Sequence, residues 1–166
     1  MTIDQRFSNP EAGPTDWSDA KRVLESAELY WLTTVRGDGR PHVTPLIGVE
    51  HQGAMHFCTG LREQKAHNLE HNDRVALTTG TNTWAQGLDV VLEGRAVRVV
   101  DHDALQRIAE AYVAKYGEVW RFEVGDGALV GSVEREAVVF RIEPEKVLAF
   151  AKDPHAQTTF RLTTSD

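Results

Sequence analysis

The sequence predicts a mainly β fold with helices, a small barrel of short strands carrying helical decoration. Three observations lead there. Between Leu29 and Thr79 the chain runs through short segments rich in β-branched and aromatic residues. Those segments are separated by turn signals, of which Asp38-Gly39 is the strongest for a tight hairpin. Only two stretches, following Ser18 and Asp101, carry a sustained apolar period of helical type. At 166 residues the chain reads as one domain over 16–166, preceded by a flexible arm over 1–15 where Pro10, Gly13 and Pro14 break any period.

The elements follow in order. Ala20, Val23, Leu24 and Ala27 repeat at i, i+3, i+4, i+7, which predicts a helix with Ser18 or Thr15 as its N-cap. Leu29 to Arg36 and His42 to about Val49 form a hairpin around Gly37-Asp38-Gly39. Pro41 and Pro45 suit a strand margin or bulge, because proline cannot donate to a ladder. Gln52-Gly53 turns the chain into a third strand, Ala54 to Thr59, and a short helix spans Gln64 to Glu70. Arg74 to Thr79 and Val90 to Val100 are further strands. Asp101 caps a second long helix with the apolar stripe Leu105, Ile108, Ala109 and Tyr112, ended by Gly117. Ala137 to Ile142 and Val147 to Ala151 complete the strands.

Composition narrows the function. A formal net charge of -7 and the lack of any basic run argue against nucleic acid as a partner. No apolar segment approaches membrane-spanning length, and the N-terminus lacks a charged-then-apolar leader pattern, so a cytoplasmic location is expected. The single cysteine, Cys58, sits in an apolar strand and reads as a small core residue. His67 and His71 are four apart on the short helix, but no third ligand accompanies them, and no metal site is expected. No nucleophile–base pair stands out either, so no catalytic residue is assigned.

One constellation does carry chemistry. A strand ending in Cys58-Thr59-Gly60 leads to Lys65 near a helix start. Thr59 can donate from its hydroxyl and Lys65 brings a compact positive charge, so the pair forms a candidate phosphate cradle. Arg62 is a lesser candidate, read equally well as a solvated side chain.

The ordered set LTTVRGDGRPHVTPL (32–46), MHFCTG (55–60), QKAHNL (64–69) and DRVALTTG (73–80) resembles the pyridoxamine 5'-phosphate oxidase-like family of split β-barrel flavin and deazaflavin proteins. Looser agreement through VVLEGRAVRV (90–99) and PEKVLAFAK (144–152) extends the resemblance over most of the chain. It implies a split barrel, a homodimer with cofactor sites at the subunit interface, and FMN as cofactor, with F420 as the alternative. The net charge favours FMN, since it repels a polyglutamate-tailed F420 at long range. By the same resemblance Lys65 meets the cofactor phosphate, Thr59 and Gln64 are neighbouring contacts, and His42, Val43, Thr44 and Pro45 pass beside the flavin ring. Trp84 covers the ring or packs at a subunit interface, Gln86 contacts the ring, and Gln157, Thr158 and Arg161 belong to a tail that reaches the cofactor. The implied activity is an oxidoreductase acting on a small molecule; the alternative is a non-catalytic carrier of a flavin or haem-like ligand. The oxidases place basic residues early and late in the second strand, where this chain has Pro41-His42 and apolar residues around Leu46, so vitamin-B6 oxidation itself is not expected.

Overall fold

In the computed structural model, which describes residues 1–131 and 136–162, strands dominate. In chain order they are β1 (Thr2–Ile3), β2 (Tyr30–Val35), β3 (Pro41–Leu46), β4 (Val49–His51), β5 (Ala54–Thr59), β6 (Arg74–Thr79), β7 (Leu88–Val99), β8 (Glu123–Val124), β9 (Leu129–Val130), β10 (Glu136–Lys152) and β11 (His155–Arg161). Three helices accompany them: α1 (Trp17–Ser26), α2 (Gln64–Leu69) and α3 (His102–Tyr116). The main path runs β1-β11-β10-β7-β6-β2-β3, and β5 joins through β10.

The long β10 organises this sheet. One of its edges pairs with β7 along almost its whole length. Its other edge takes β5 over 138–142 and β11 over 146–152. The two strands predicted at Ala137–Ile142 and Val147–Ala151 are thus one strand, bent at a register shift between Pro144 and Lys146. Gly94 permits that bend, because a Cβ there would stand 2.1 Å from the Glu143 carbonyl oxygen.

The barrel interior holds Tyr30, Leu32, Met55, Phe57, Leu77, Leu92, Ile142 and Val147, with Ala20 and Leu24 of α1 closing one side. The apolar stripe Leu105, Ile108, Ala109 and Tyr112 of α3 packs on Val49, Leu129 and Val139, outside the barrel. Tyr30 ties the regions together: its hydroxyl bonds the Leu24 carbonyl and accepts from Lys115 Nζ at 2.7 Å.

Three expectations are corrected. Residues expected as a free arm lie against β11: Thr2 and Ile3 pair with Thr159 and Thr158, and the Asp4 and Asn9 amides donate to the Gln157 and His155 carbonyls at 2.8 Å each. Prolines and glycines interrupt a period but leave extended backbone free to pair. The second strand ends at Leu46 rather than Val49, and β4 is separate, because the chain bends at Ile47-Gly48 to cross onto α3. The first helix is capped at Asp16, rather than at Ser18 or Thr15.

Candidate cofactor cleft

A cleft of 590 Å³ opens where β3 and β5 end. Its apolar walls are Pro45, Leu46 and Ile47 on one side and Val119, Trp120 and Phe122 on the other, with Cys58, Thr59, Gly60 and Glu63 at its polar end. Among the described residues β3 pairs only with β2, so its outer edge leaves backbone N–H and C=O groups free. That edge position accounts for Pro41 and Pro45 within a strand.

Strand alternation divides the four residues expected beside a ring. His42 and Thr44 stand opposite the buried Thr34 and Leu32, whereas Val43 and Pro45 stand opposite Thr33 and Trp31 on the outer face. Only their backbones share one edge. Thr44 Oγ1 is buried without a hydrogen-bond partner, a polar group not spent within the chain.

Lys65 is buried, at 6% exposure. Its Nζ is ion-paired to the Glu63 carboxylate, which also accepts the Gly60 amide at 2.9 Å. Burial by itself would raise the Glu63 pKa, but the bonds from Lys65 and Gly60 outweigh it and hold the carboxyl below its ordinary value. The cradle therefore contains its cation, but the chain's own carboxylate sits on it. Glu63 is the site residue that sequence reasoning missed; the signal was an acidic residue two positions before the lysine. Thr59 is buried beside it, its hydroxyl directed to the Gly60 carbonyl at 3.3 Å. Arg62 is exposed.

Gln64 faces the other way. Its amide donates to Asn68 Oδ1 at 2.8 Å, and Asn68 donates to Thr34 Oγ1 at 2.8 Å. Thr34 lies 3.4 Å from His42 Nδ1. Burial first, then the charges of Arg36 and Lys65, lower the His42 pKa, so the ring is mainly neutral at pH 7. The chain Gln64–Asn68–Thr34–His42 thus braces α2 against the hairpin beside the cleft.

The remaining expected residues are not brought here within one chain. Trp84, 95% exposed, lines a separate cleft with Asp89, Phe150, Lys152 and His155. The Gln86 carbonyl accepts the Thr83 hydroxyl at 2.7 Å in the same loop. The stretch His155 to Leu162, expected as a tail reaching the cofactor, is mostly strand β11. Its alternating burial turns Ala156, Thr158 and Phe160 inward, and Thr158 Oγ1 holds the Thr15 amide at 2.9 Å, so neither Gln157, Thr158 nor Arg161 lines the cleft. Among the described residues no group of three His, Cys, Asp or Glu side chains is placed to hold a metal ion, and no helix is long and apolar enough to cross a membrane.

The family described as Pyridoxamine 5'-phosphate oxidase matches residues 18–151, and the chain belongs to it. Solved structures agree on the split-barrel fold. A heme binding protein from Mycobacterium smegmatis superposes with a TM-score of 0.72 at 16% identity, over 90% of this chain and 59% of that one. The chain therefore spans well under two thirds of that relative's length. A NimC/NimA family protein from Clostridium acetobutylicum gives a TM-score of 0.65 at 16% identity, over 90% of this chain and 95% of that one. The heme storage protein HutZ from Vibrio cholerae gives 0.62 at 19% identity, over 82% and 94%. No curated protein matches in sequence.

Proposed function

We propose that this cleft binds FMN and that the protein is an oxidoreductase acting on a small molecule, working as a homodimer in the cytoplasm. A bound flavin supplies hydride and electron transfer; the protein supplies binding, orientation and electrostatics. The observation that carries the reading is an apolar cleft beside an open strand edge, whose polar end of Thr59, Gly60 and Glu63 is ion-paired through Glu63 to the buried Lys65. Glu63 is half exposed, and with its carboxylate turned out into solvent Lys65 and the Gly60 amide would hold the cofactor phosphate. Thr59 adds a hydroxyl, the free edge of β3 hydrogen-bonds a ring, and Trp120, Phe122 and Leu46 exclude water from it. Cys58 takes no covalent part: burial pushes its thiol pKa up, away from the reactive thiolate.

The outward face of the sheet supports the dimer. Trp31 and Val43 are about half exposed there; Trp31 is in register with Pro45, Thr78, Val91 and Leu148 across β3, β6, β7 and β10, and Val43 stands two residues before Pro45 on the same face. In a dimer the partner brings Trp84 and Gln86 toward a cleft they do not reach in their own chain. Deazaflavin F420 is the alternative cofactor. Vitamin-B6 oxidation is not the activity proposed: the cation that lines this cleft among the described residues, Arg121, is paired with Glu118 at 2.6 Å, and Lys65 is assigned to the cofactor phosphate, so no described cation is left for a second one.

A second reading is a non-catalytic carrier of a haem-like ligand. It draws on the heme-binding and heme-storage relatives and on the neutralisation of Lys65 by Glu63. The deciding experiment is parallel titration of the purified protein with FMN, F420 and haemin, read by absorbance, followed by turnover with reduced nicotinamides and quinone or nitro acceptors. Saturable FMN binding with turnover supports the enzyme. Haemin binding without FMN binding or turnover supports the carrier.

A further inference from the structure

A second cleft, of 420 Å³, lies at the other end of β5, beneath the N-terminal half of α3, and shares no lining residue with the cofactor cleft. Its floor holds His56 of β5, Arg141 of β10 and Val97 of β7 in one register row, which continues to Val49 of β4. His51, two residues from Val49 on β4, stands on the same face, and the two histidine rings are 6.2 Å apart. Arg107 reaches in from α3, and Arg98 from the end of β7 completes the lining arginines.

Two features of this cleft are unspent. Among the described residues neither Arg98 nor Arg107 forms an ion pair, and Arg141 has only Glu143 at 3.6 Å. The one carboxylate in the lining, Asp101, is occupied as the cap of α3, accepting the Ala104 amide at 2.8 Å. The second feature is independent of charge. His56 is 4% exposed and its Nδ1 has no hydrogen-bond partner; His51 Nε2 is likewise buried and unpartnered. Buried ring nitrogens without partners are costly and uncommon, and here two of them occur together in one cationic cleft.

We propose that this cleft binds the oxyanion group, phosphate or carboxylate, of a small molecule, with Arg107 and Arg141 supplying charge and the His51 and His56 rings supplying hydrogen bonds. Guanidinium groups match an oxyanion's geometry, and a neutral imidazole offers one N–H donor. The cleft volume admits a small phosphorylated or polycarboxylate molecule. The site is separate from the flavin reading and stands whether or not FMN binds.

The test is calorimetric titration of the full chain with inorganic phosphate, pyrophosphate and citrate, in parent, Arg107→Gln, Arg141→Gln and Arg141→Lys proteins. Saturable binding is expected, weakened about tenfold or more by either glutamine variant and partly kept by Arg141→Lys. Preference for pyrophosphate identifies a phosphorylated ligand; preference for citrate identifies a carboxylate. Absence of saturable binding to all three probes, or equal binding by the glutamine variants and parent, overturns the proposal.

Discussion

Lys65 and Arg141 both serve a cleft at one end of β5, yet their surroundings differ. Lys65 is buried and neutralised by Glu63, two residues away in sequence, which lines a cleft whose walls are mostly apolar. Arg141 is half exposed, its paired carboxylate, Glu143, is 3.6 Å away, and His56 beside it is buried with its Nδ1 unpartnered. The first cleft keeps an internal anion, Glu63, on its buried cation. The second keeps polar capacity that nothing within the described chain uses. Both positions are cationic, so charge alone does not separate them; the hydrogen-bond inventory does.

The largest effect that sharpens this contrast is a pH effect on stability. Burial first, then the charges of His51 and Arg141, lowers the His56 pKa to about 4. An unfolded histidine titrates near 6.5, so between those values the unfolded state binds more protons, and stability falls as pH drops through that window. The loss should reach roughly 3 kcal/mol below pH 4. Urea melts of parent and His56→Gln at pH 7.5, 5.5 and 4 check it, the variant losing less over the same range. Equal slopes would mean that His56 is not held neutral.

A smaller effect has the opposite character. Glu63→Gln removes the internal anion while keeping side-chain volume, and FMN affinity should rise by ~1 kcal/mol, about threefold to tenfold. Fluorescence quenching of FMN reads it directly. Weaker binding in this variant would make Glu63 a contact of the cofactor rather than its competitor.

Much of this molecule was legible in the chain. The hairpin at Asp38-Gly39, the β5 strand and the stripe of α3 follow from alternation, turn residues and a capped period, and the Thr59-to-Lys65 spacing marks the segment whose Thr59, Gly60 and Glu63 line the cleft. What stayed hidden is non-local. The bend that joins two predicted strands into β10 depends on the close approach of Gly94 across the sheet. The pairing of β1 with β11 needs a partner more than 150 residues away. Glu63 does not stand out in the sequence because an ion pair within one turn leaves no periodic mark. His56 and Arg141 lie 85 positions apart and meet only through β5–β10 register.

The central claim is that Lys65 anchors an anionic cofactor in the β3–β5 cleft, apart from the arginine cleft beneath α3. It is tested most directly by titrating FMN into parent, Lys65→Ala and Arg107→Gln proteins, with melting curves as a check on folding. Loss of one charge-assisted contact is worth roughly 1.5–3 kcal/mol, so Lys65→Ala should bind FMN at least tenfold more weakly while Arg107→Gln matches the parent. Folded Lys65→Ala protein that binds FMN as tightly as the parent, or loss of FMN in Arg107→Gln, would contradict it.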